Sequence, residues 1–554
     1  MYRLSVIGAI RLLSAICVAL TFASACGTSS GAQRVGAAWG VESPAIPPAA
    51  TEFANPLRGQ YENLMSPLFP QGNPAQRDFA AWPKSADASM RLDWRRLQPT
   101  DPRRLPPGTP DDRKYDFRVI DEALAEAGSR GMRLTLRVYA YNSCCDASYP
   151  NDTNIAIPDW LRSIPGITRT FPPDHGRSVS QVVPNWNSPD YLAGFDELLM
   201  ALGRRYDGDE RLSVFEFSGY GDFSENHIAY VRDALRAPGP APQDSVRRLG
   251  YFSQYRDQSI TAPSIRRLVA ANVAAFPRTQ LVVTPQNPEI VRQLLSDQVT
   301  ATVAAPVGIR SDCLGVYEPL PAWAHDTDSR YVAQDDSLVA KLTSRLASAP
   351  VITEWCQLPG GADRRAYYAK GLHDVVAYHV SMTSSTNFPD RDSRRTMSLE
   401  LFSLWARANV YAGYRYSVDS VTGTTSIDGG SASVDVQWTN HGSAVAMEKW
   451  VPSYRIVDRS GRTVRTVPAR VDLKAILAGQ PLDPGAPPVP ASVTEQLVVD
   501  TAGLPPGRYT VSAAVAWQQH KPHASHVVDY APMQLARDGR DSDGAYPIAV
   551  LDLQ

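Results

Sequence analysis

Cysteine is scarce, with 6 in 554 residues, and only Cys144, Cys145, Cys313 and Cys356 follow the first 26. Four cysteines allow three pairings. Cys313 with Cys356 is the favoured one, since both would lie near the ends of neighbouring strands, whereas the adjacent Cys144 and Cys145 are awkward partners for each other. No histidines cluster with these cysteines, so a zinc site is not expected. Excess charge is missing as well. The net charge of -2 offers no basic footprint for nucleic acid. Past the N-terminal region no run is long and apolar enough to span a bilayer. HExxH, Walker and dinucleotide motifs are absent, which leaves no motif for a metal or other cofactor.

What is present is globular. Hydrophobic residues make up 43% and charged ones 20%, a balance that excludes disorder. A chain of 554 residues exceeds one ordinary domain. Residues 1–26 read as an export signal: Arg3 and Arg11 lie at the start, ahead of an apolar run, LLSAICVALTF, of signal-peptide length. The run ends in ASAC, and small residues before Cys26 resemble a bacterial lipobox, with Ala23 standing where leucine is usual. Cys26 is the expected lipidation site; cleavage near Ala25 is the alternative. Residues 27–50, small and Pro-containing, read as a flexible tether.

From residue 51 to 415 strand-like and helical runs alternate. The strand candidates are GQYENL, ASMRLDWRRLQP, RLTLRVYAY, LSVFEFSGYG, TQLVVTPQN, PVGIRSDCLG, PVITEWC and VVAYHVSMTSST. Helical patterns such as YDFRVIDEALAEAGSRGM and DYLAGFDELLMALGRRYDG lie between most of them. Eight such repeats predict a (β/α)8 barrel. From 416 to 554 the pattern turns to alternating runs punctuated by Gly, Pro and Asp, which predicts an antiparallel β-sandwich.

In a barrel of this type the chemistry sits at the C-terminal strand ends. The predicted rim is polar and aromatic: Arg137, Tyr139 and Asn142 after strand three, Glu216 and Tyr220 at strand four, Asn287 after five, Asp312 on six, Trp355 on seven. Such residues suit hydroxyl bonding and ring stacking, although a tryptophan packs in a core as readily as it stacks on a sugar. Glu225 follows strand four and Glu354 ends strand seven. Glycosidic cleavage needs one carboxylic acid to protonate the leaving oxygen and one carboxylate to attack or stabilise the anomeric carbon. Glu225 is the candidate acid/base and Glu354 the candidate nucleophile. Duller readings stand beside these: Glu354 as a structural partner of Arg310 or Arg137, Glu225 as a loop carboxylate, and Glu216, inside the strand, as a rival acid.

The segments NPLRGQY, LTLRVY, VPNWNSPDY, SGYGDFSENH, PVITEW and QWTNHGSA resemble a family of bacterial surface proteins known only as a domain of unknown function. The layout is similar to the β-galactosidase-like clan of retaining glycoside hydrolases. That resemblance implies an acid/base at Glu225 and a nucleophile at Glu354. It departs at Ser224, where the clan usually has an asparagine. The expectation is an exported glycoside hydrolase, lipid-anchored on the outer face of the cell membrane or secreted, acting with retention on an extracellular or cell-envelope polysaccharide. The alternative is a non-catalytic glycan-binding protein on a barrel scaffold.

Overall fold

The computed structural model describes residues 39–41, 52–64, 84–142, 155–171, 181–227, 260–316, 319–320, 336–355, 361–384, 398–423 and 430–553. Eight parallel strands close into a barrel: β1 (Gly59–Leu64), β2 (Ser85–Asp93), β3 (Arg133–Tyr139), β4 (Leu212–Glu216), β5 (Gln280–Val283), β6 (Gly308–Leu314), β7 (Val351–Trp355) and β8 (Met382–Ser384). Their order round the barrel follows the chain, and β8 pairs with β1. Helices α1 (Arg118–Ser129), α2 (Pro189–Tyr206), α3 (Ala262–Ala275), α4 (Pro288–Leu294), α5 (Asp336–Ser348), α6 (Arg364–Ala377) and α7 (Leu399–Tyr411) follow successive strands from β2 onward.

Local sequence accounts for these elements. Ile120, Ala123, Leu124 and Ala127 are buried on one face of α1, the three- and four-residue spacing of an amphipathic helix. Gly131, at φ 69°, supplies the left-handed turn into β3. Pro189 opens α2 after Ser188, and Asp363 caps α6 by accepting from the Ala366 amide.

Strand alternation divides the side chains into two sets. Ala88, Met90 and Leu92 of β2, with Leu134, Leu136 and Val138 of β3, face the helices in the main core. Each such fully buried Leu or Met contributes roughly 1.5–3 kcal/mol. Facing inward, Tyr61, Val214, Val282, Ile352 and Met382 form a small apolar plug with Leu57. Two residues further along β4 and β7, on the same inward face, stand Glu216 and Glu354.

The C-terminal unit is an antiparallel β-sandwich. One sheet contains β9 (Tyr416–Thr422), β10 (Ser431–Asn440) and β13 (Ala491–Asp500); the other contains β11 (Trp450–Val457), β12 (Thr463–Pro468), β14 (Gly507–Trp517) and β15 (Tyr546–Leu553). Trp438, Tyr454, Ile456, Val511, Val515 and Ile548 lie in the core between them. Within the stretch 27–50, expected as a tether, Trp39–Val41 adds a strand antiparallel to β15. The rest of that stretch and the signal segment with Cys26 lie outside the described residues. No helix among the described residues is long and apolar enough to cross a membrane.

The sandwich covers the end of the barrel opposite the catalytic candidates. Arg133, the first residue of β3, pairs with Glu448 and donates to the Glu210 carbonyl at 2.8 Å. The buried Glu210 carboxylate accepts from the amides of Lys521 at 2.6 Å and Val528 at 2.8 Å. The Lys521 ammonium donates to Asp209 O, Leu212 O and Thr279 Oγ1 at 2.9–3.1 Å. All these barrel positions lie at or just before the N-terminal ends of β3, β4 and β5.

Candidate active site

At the C-terminal mouth of the barrel, three glutamates and three arginines alternate in a closed ring. Arg137 on β3 donates to Glu216 at 2.5 Å and to Glu225 at 2.8 Å. Arg91 on β2 reaches Glu225 at 3.5 Å and also hydrogen-bonds Glu354. Arg310 on β6 donates to Glu354 at 2.5 Å and lies 3.4 Å from Glu216, which completes the circuit. All six side chains are nearly or fully buried. Unpaired charges would be prohibitive at this depth, so the ring is the arrangement that lets them sit there.

Glu225 reaches the ring through a tightly wound loop. Gly219, Gly221, Phe223, Ser224 and Asn226 all have positive φ, and three of them are not glycine. Left-handed non-glycine residues carry strain and persist where the surroundings over-determine them. Here the Asp222 amide bonds His227 O at 2.7 Å, and the Glu225 amide bonds Asp222 O at 2.7 Å. A Cβ on Gly221 would come within 2.3 Å of His227 O, so only glycine lets the loop close. Ser224 accepts from the Gly219 amide and donates to Val138 O at 2.7 Å. Its side chain therefore braces the loop against β3.

Two further groups adjoin the ring. Asp312 on β6 lies 3.1 Å from Arg310, and His227 Nε2 lies 3.5 Å from Glu225 Oε2. Atoms of Glu225, His227 and Asp312 fall within 4.8 Å of one another, a spacing at which each charge shifts the titration of the others. The three guanidiniums around them disfavour a cation there. Burial pushes the Glu225 carboxyl up, but the His227 hydrogen bond and the Arg137 and Arg91 charges outweigh it and hold Glu225 well below the carboxylate range. Glu354 is likewise raised by burial and lowered on balance by Arg91 and Arg310. Asp312 goes the other way: burial and the Glu225 charge push it up to about 7, with Arg310 only partly offsetting them. His227 is lowered by burial and raised on balance by Glu225, Asp222 and Asp312. In the free protein the raised carboxyl is thus Asp312, while Glu225 is ionised.

The structure brings Arg137, Glu216, Glu225, Asp312 and Glu354 together. Tyr139 stands at the rim, 5.3 Å edge-on to Phe223, whose ring also lies 5.5 Å from the Arg91 guanidinium. Asn142 is partly exposed just beyond β3. Two expected contacts are corrected, those of Trp355 and Tyr220. Trp355 is the neighbour of an inward residue, so it points outward; it is fully buried against Tyr367, Tyr368 and Gly371 of α6. Tyr220 is buried edge-on to Trp186 in the same outer core. Asn287 caps α4, its Oδ1 accepting from the Glu289 and Ile290 amides. Arg91 was absent from the sequence-derived set, yet Asp87, Ser89 and Arg91 alternate with the helix-facing Ala88, Met90 and Leu92. Cys313, at the end of β6, is disulfide-bonded; Cys144, Cys145 and Cys356 lie outside the described residues.

No family model and no curated protein matches the chain. Among solved structures it is similar to endo-glycoceramidase II from Rhodococcus sp. (TM-score 0.37, 12% identity, covering 80% of this chain and 97% of that one). It is also similar to a trimodular GH5_4 subfamily endoglucanase (TM-score 0.33, 11% identity, 84% and 97% covered) and to endo-β-1,4-glucanase B from Bacillus halodurans (TM-score 0.33, 9% identity, 83% and 94% covered). Each is a glycoside hydrolase. At these identities and scores the likeness concerns architecture alone; the chemistry rests on the ring.

Proposed function

We propose that this mouth is the active site of an exported glycoside hydrolase that cleaves an extracellular or cell-envelope polysaccharide with retention. The observation that carries the reading is the shared Arg91: it draws Glu225 and Glu354, from strands that are not neighbours, onto one guanidinium. A separation set by one guanidinium favours the retaining spacing of about 5–5.5 Å over the inverting one of about 6.5–9.5 Å. Glu354, held ionised by Arg91 and Arg310, is in the state a nucleophile needs. Its oxygen attacks the anomeric carbon while the leaving oxygen takes a proton from Glu225, which is ionised in the free protein and therefore has to take up that proton once substrate is bound; water then opens the glycosyl ester and returns a proton to Glu225. Tyr139 and Phe223 offer ring edges for the sugar. Cys26 would anchor the chain to the membrane by a lipid; a Cys26→Ala variant that still takes up labelled palmitate would end that part.

A second reading, a glycan-binding protein without turnover, is favoured by one observation. Ser224 faces β3, so it makes no sugar contact of the kind the clan's asparagine makes. Reducing-sugar release from a panel of envelope and extracellular polysaccharides decides between the two. Hydrolysis by the wild type, with turnover reduced about 10²–10⁴-fold in Glu225→Gln and Glu354→Gln while glycan binding persists, supports the enzyme. Glycan binding with no hydrolysis by any of the three proteins supports the binding protein.

A further inference from the structure

We propose that Glu216 is a positioning residue, a strut that locks Arg137 and Arg310 and, through them, sets the acid/base Glu225 and the nucleophile Glu354. This deepens the reading above and rests on it. Place in the strand makes Glu216 a rival acid; its contacts give it a different task.

Glu216 ends β4 and is 2% exposed. Its register partner on β5 is Val282, part of the apolar plug. One oxygen, Oε2, meets both arginines: Arg137 Nε donates to it at 2.5 Å from β3, and Arg310 Nε lies 3.4 Å away on β6. Each guanidinium turns its far end to a catalytic carboxylate. Arg137 Nη1 donates to Glu225 at 2.8 Å and to Phe223 O at 3.2 Å. Arg310 Nη2 donates to Glu354 at 2.5 Å. A guanidinium is a rigid planar fork, so holding its Nε edge fixes where its Nη atoms point. Phe223 is itself left-handed, so Arg137 pins the strained loop as well as the acid it carries.

Glu216 is poorly placed to be the acid itself. Its Oε2 serves two cations, and its Oε1 is buried, out of reach of a leaving oxygen. Arg91, which gathers Glu225 and Glu354, makes no ion pair with Glu216 among the described residues. The charge of Glu216 has a second effect. An anion between Arg137 and Arg310 weakens the pull of each on the carboxylate beyond it. That eases the proton uptake Glu225 needs once substrate is bound.

The test uses the full chain. In Glu216→Gln, kcat should fall about 10²-fold with KM little changed. The fall should be the same on a polysaccharide the wild type cleaves and on the dinitrophenyl glycoside of its sugar, because both carboxylates lose their hold. Both limbs of the pH profile of kcat should move about one unit toward acid, since the unbalanced guanidiniums favour ionised Glu225 and Glu354. Glu216→Asp, which restores the charge, should return the limbs. In nitrogen-15 NMR spectra the Arg137 Nε–H should exchange slowly in the wild type and shift in Glu216→Gln.

Unimpaired cleavage of the dinitrophenyl glycoside by Glu216→Gln, a substrate that needs no proton donor, would make Glu216 the acid and overturn the proposal. A fall in kcat with neither limb moved means a merely structural role and also overturns it, as does an unmoved Arg137 resonance. If Glu216→Gln fails to fold, Glu216→Asp carries the test: kcat should fall on both substrates with the limbs in place, and loss on the polysaccharide alone, or no loss, ends the proposal. A shifted Arg137 resonance in a protein that cleaves no glycoside would leave the strut standing and end the hydrolase reading.

Discussion

Arg91 contacts Glu225 and Glu354 at the same time. A single guanidinium thus bridges the two carboxylates to which opposite catalytic duties are assigned. Its removal leaves two buried anions facing each other. Arg91→Ala should lower stability by about 3–5 kcal/mol in urea unfolding and raise the pKa of at least one of the pair. Arg91→Lys should recover only part of this, because an ammonium is a single-nitrogen point charge without the planar fork that reaches both partners. Equal stability of Arg91→Ala and wild type would contradict the ring.

Retention can be observed directly. Proton NMR at the start of hydrolysis should show the first-formed sugar with the anomeric configuration of the substrate. The inverted anomer would place the two carboxylates at the longer spacing and reassign Glu354 as a base.

Trp355 should behave as a core residue. Trp355→Ala is expected to cost about 3–5 kcal/mol with KM essentially unchanged in the folded fraction. Gly371→Ala probes the same contact from the other side: its Cβ would meet the Trp355 ring at 2.4 Å, an overpacking worth about 1–3 kcal/mol. A large KM effect from Trp355→Ala at unchanged stability would return that ring to the sugar site.

Much of this was legible in the chain. All eight barrel strands announced themselves by short β-rich runs between helical patterns, because each strand must bury one apolar face against a helix. Glu354 was legible from its place at a strand end, and Glu225 from the polar stretch that follows β4. Arg91 was not, because β2 continues two residues past it to Asp93, so it is not among the strand's last residues. Trp94 begins a short helix and is buried outside the barrel. Alternation puts Arg91 on the inward face two residues before Asp93, and turns Trp355, the neighbour of the inward Glu354, outward. Ring closure itself was hidden, since pairings between β2, β3, β6 and the β4 loop depend on distances that no local pattern encodes.

Stability should fall as pH rises from about 4 to 7. Asp87, buried near the barrel floor, is pushed up to about 7 from 3.8 by burial and the Glu448 charge, with Arg133 and the Leu57 amide partly offsetting them. Between those values the folded chain holds a proton that the unfolded chain releases, so this contribution is complete below 3.8 and lost as pH climbs through 7. Asp312 adds in the same direction. Glu225 and Glu354, held low, act oppositely, and only at pH below the ordinary carboxylate range. Thermal melts across pH 4–8 should show the decline, and Asp87→Asn should flatten it; a rising profile would refute the assignment.

The sandwich should be inseparable from the barrel. Glu448→Ala strands the buried Arg133 and should cost about 3–5 kcal/mol. A chain ending after α7 should not give a cooperative melt, since Glu210 and Thr279 would lose the Lys521 contacts that close the floor. A sharp transition from the isolated barrel would show the floor to be self-sufficient.

An alternating circuit of opposite charges projects almost no potential beyond its own width. An approaching glycan therefore feels no long-range pull toward the mouth, whether it is neutral or carries uronate or phosphate groups. Capture should run at the unassisted diffusional pace and should be nearly indifferent to ionic strength, leaving discrimination among polysaccharides to shape and hydroxyl contacts.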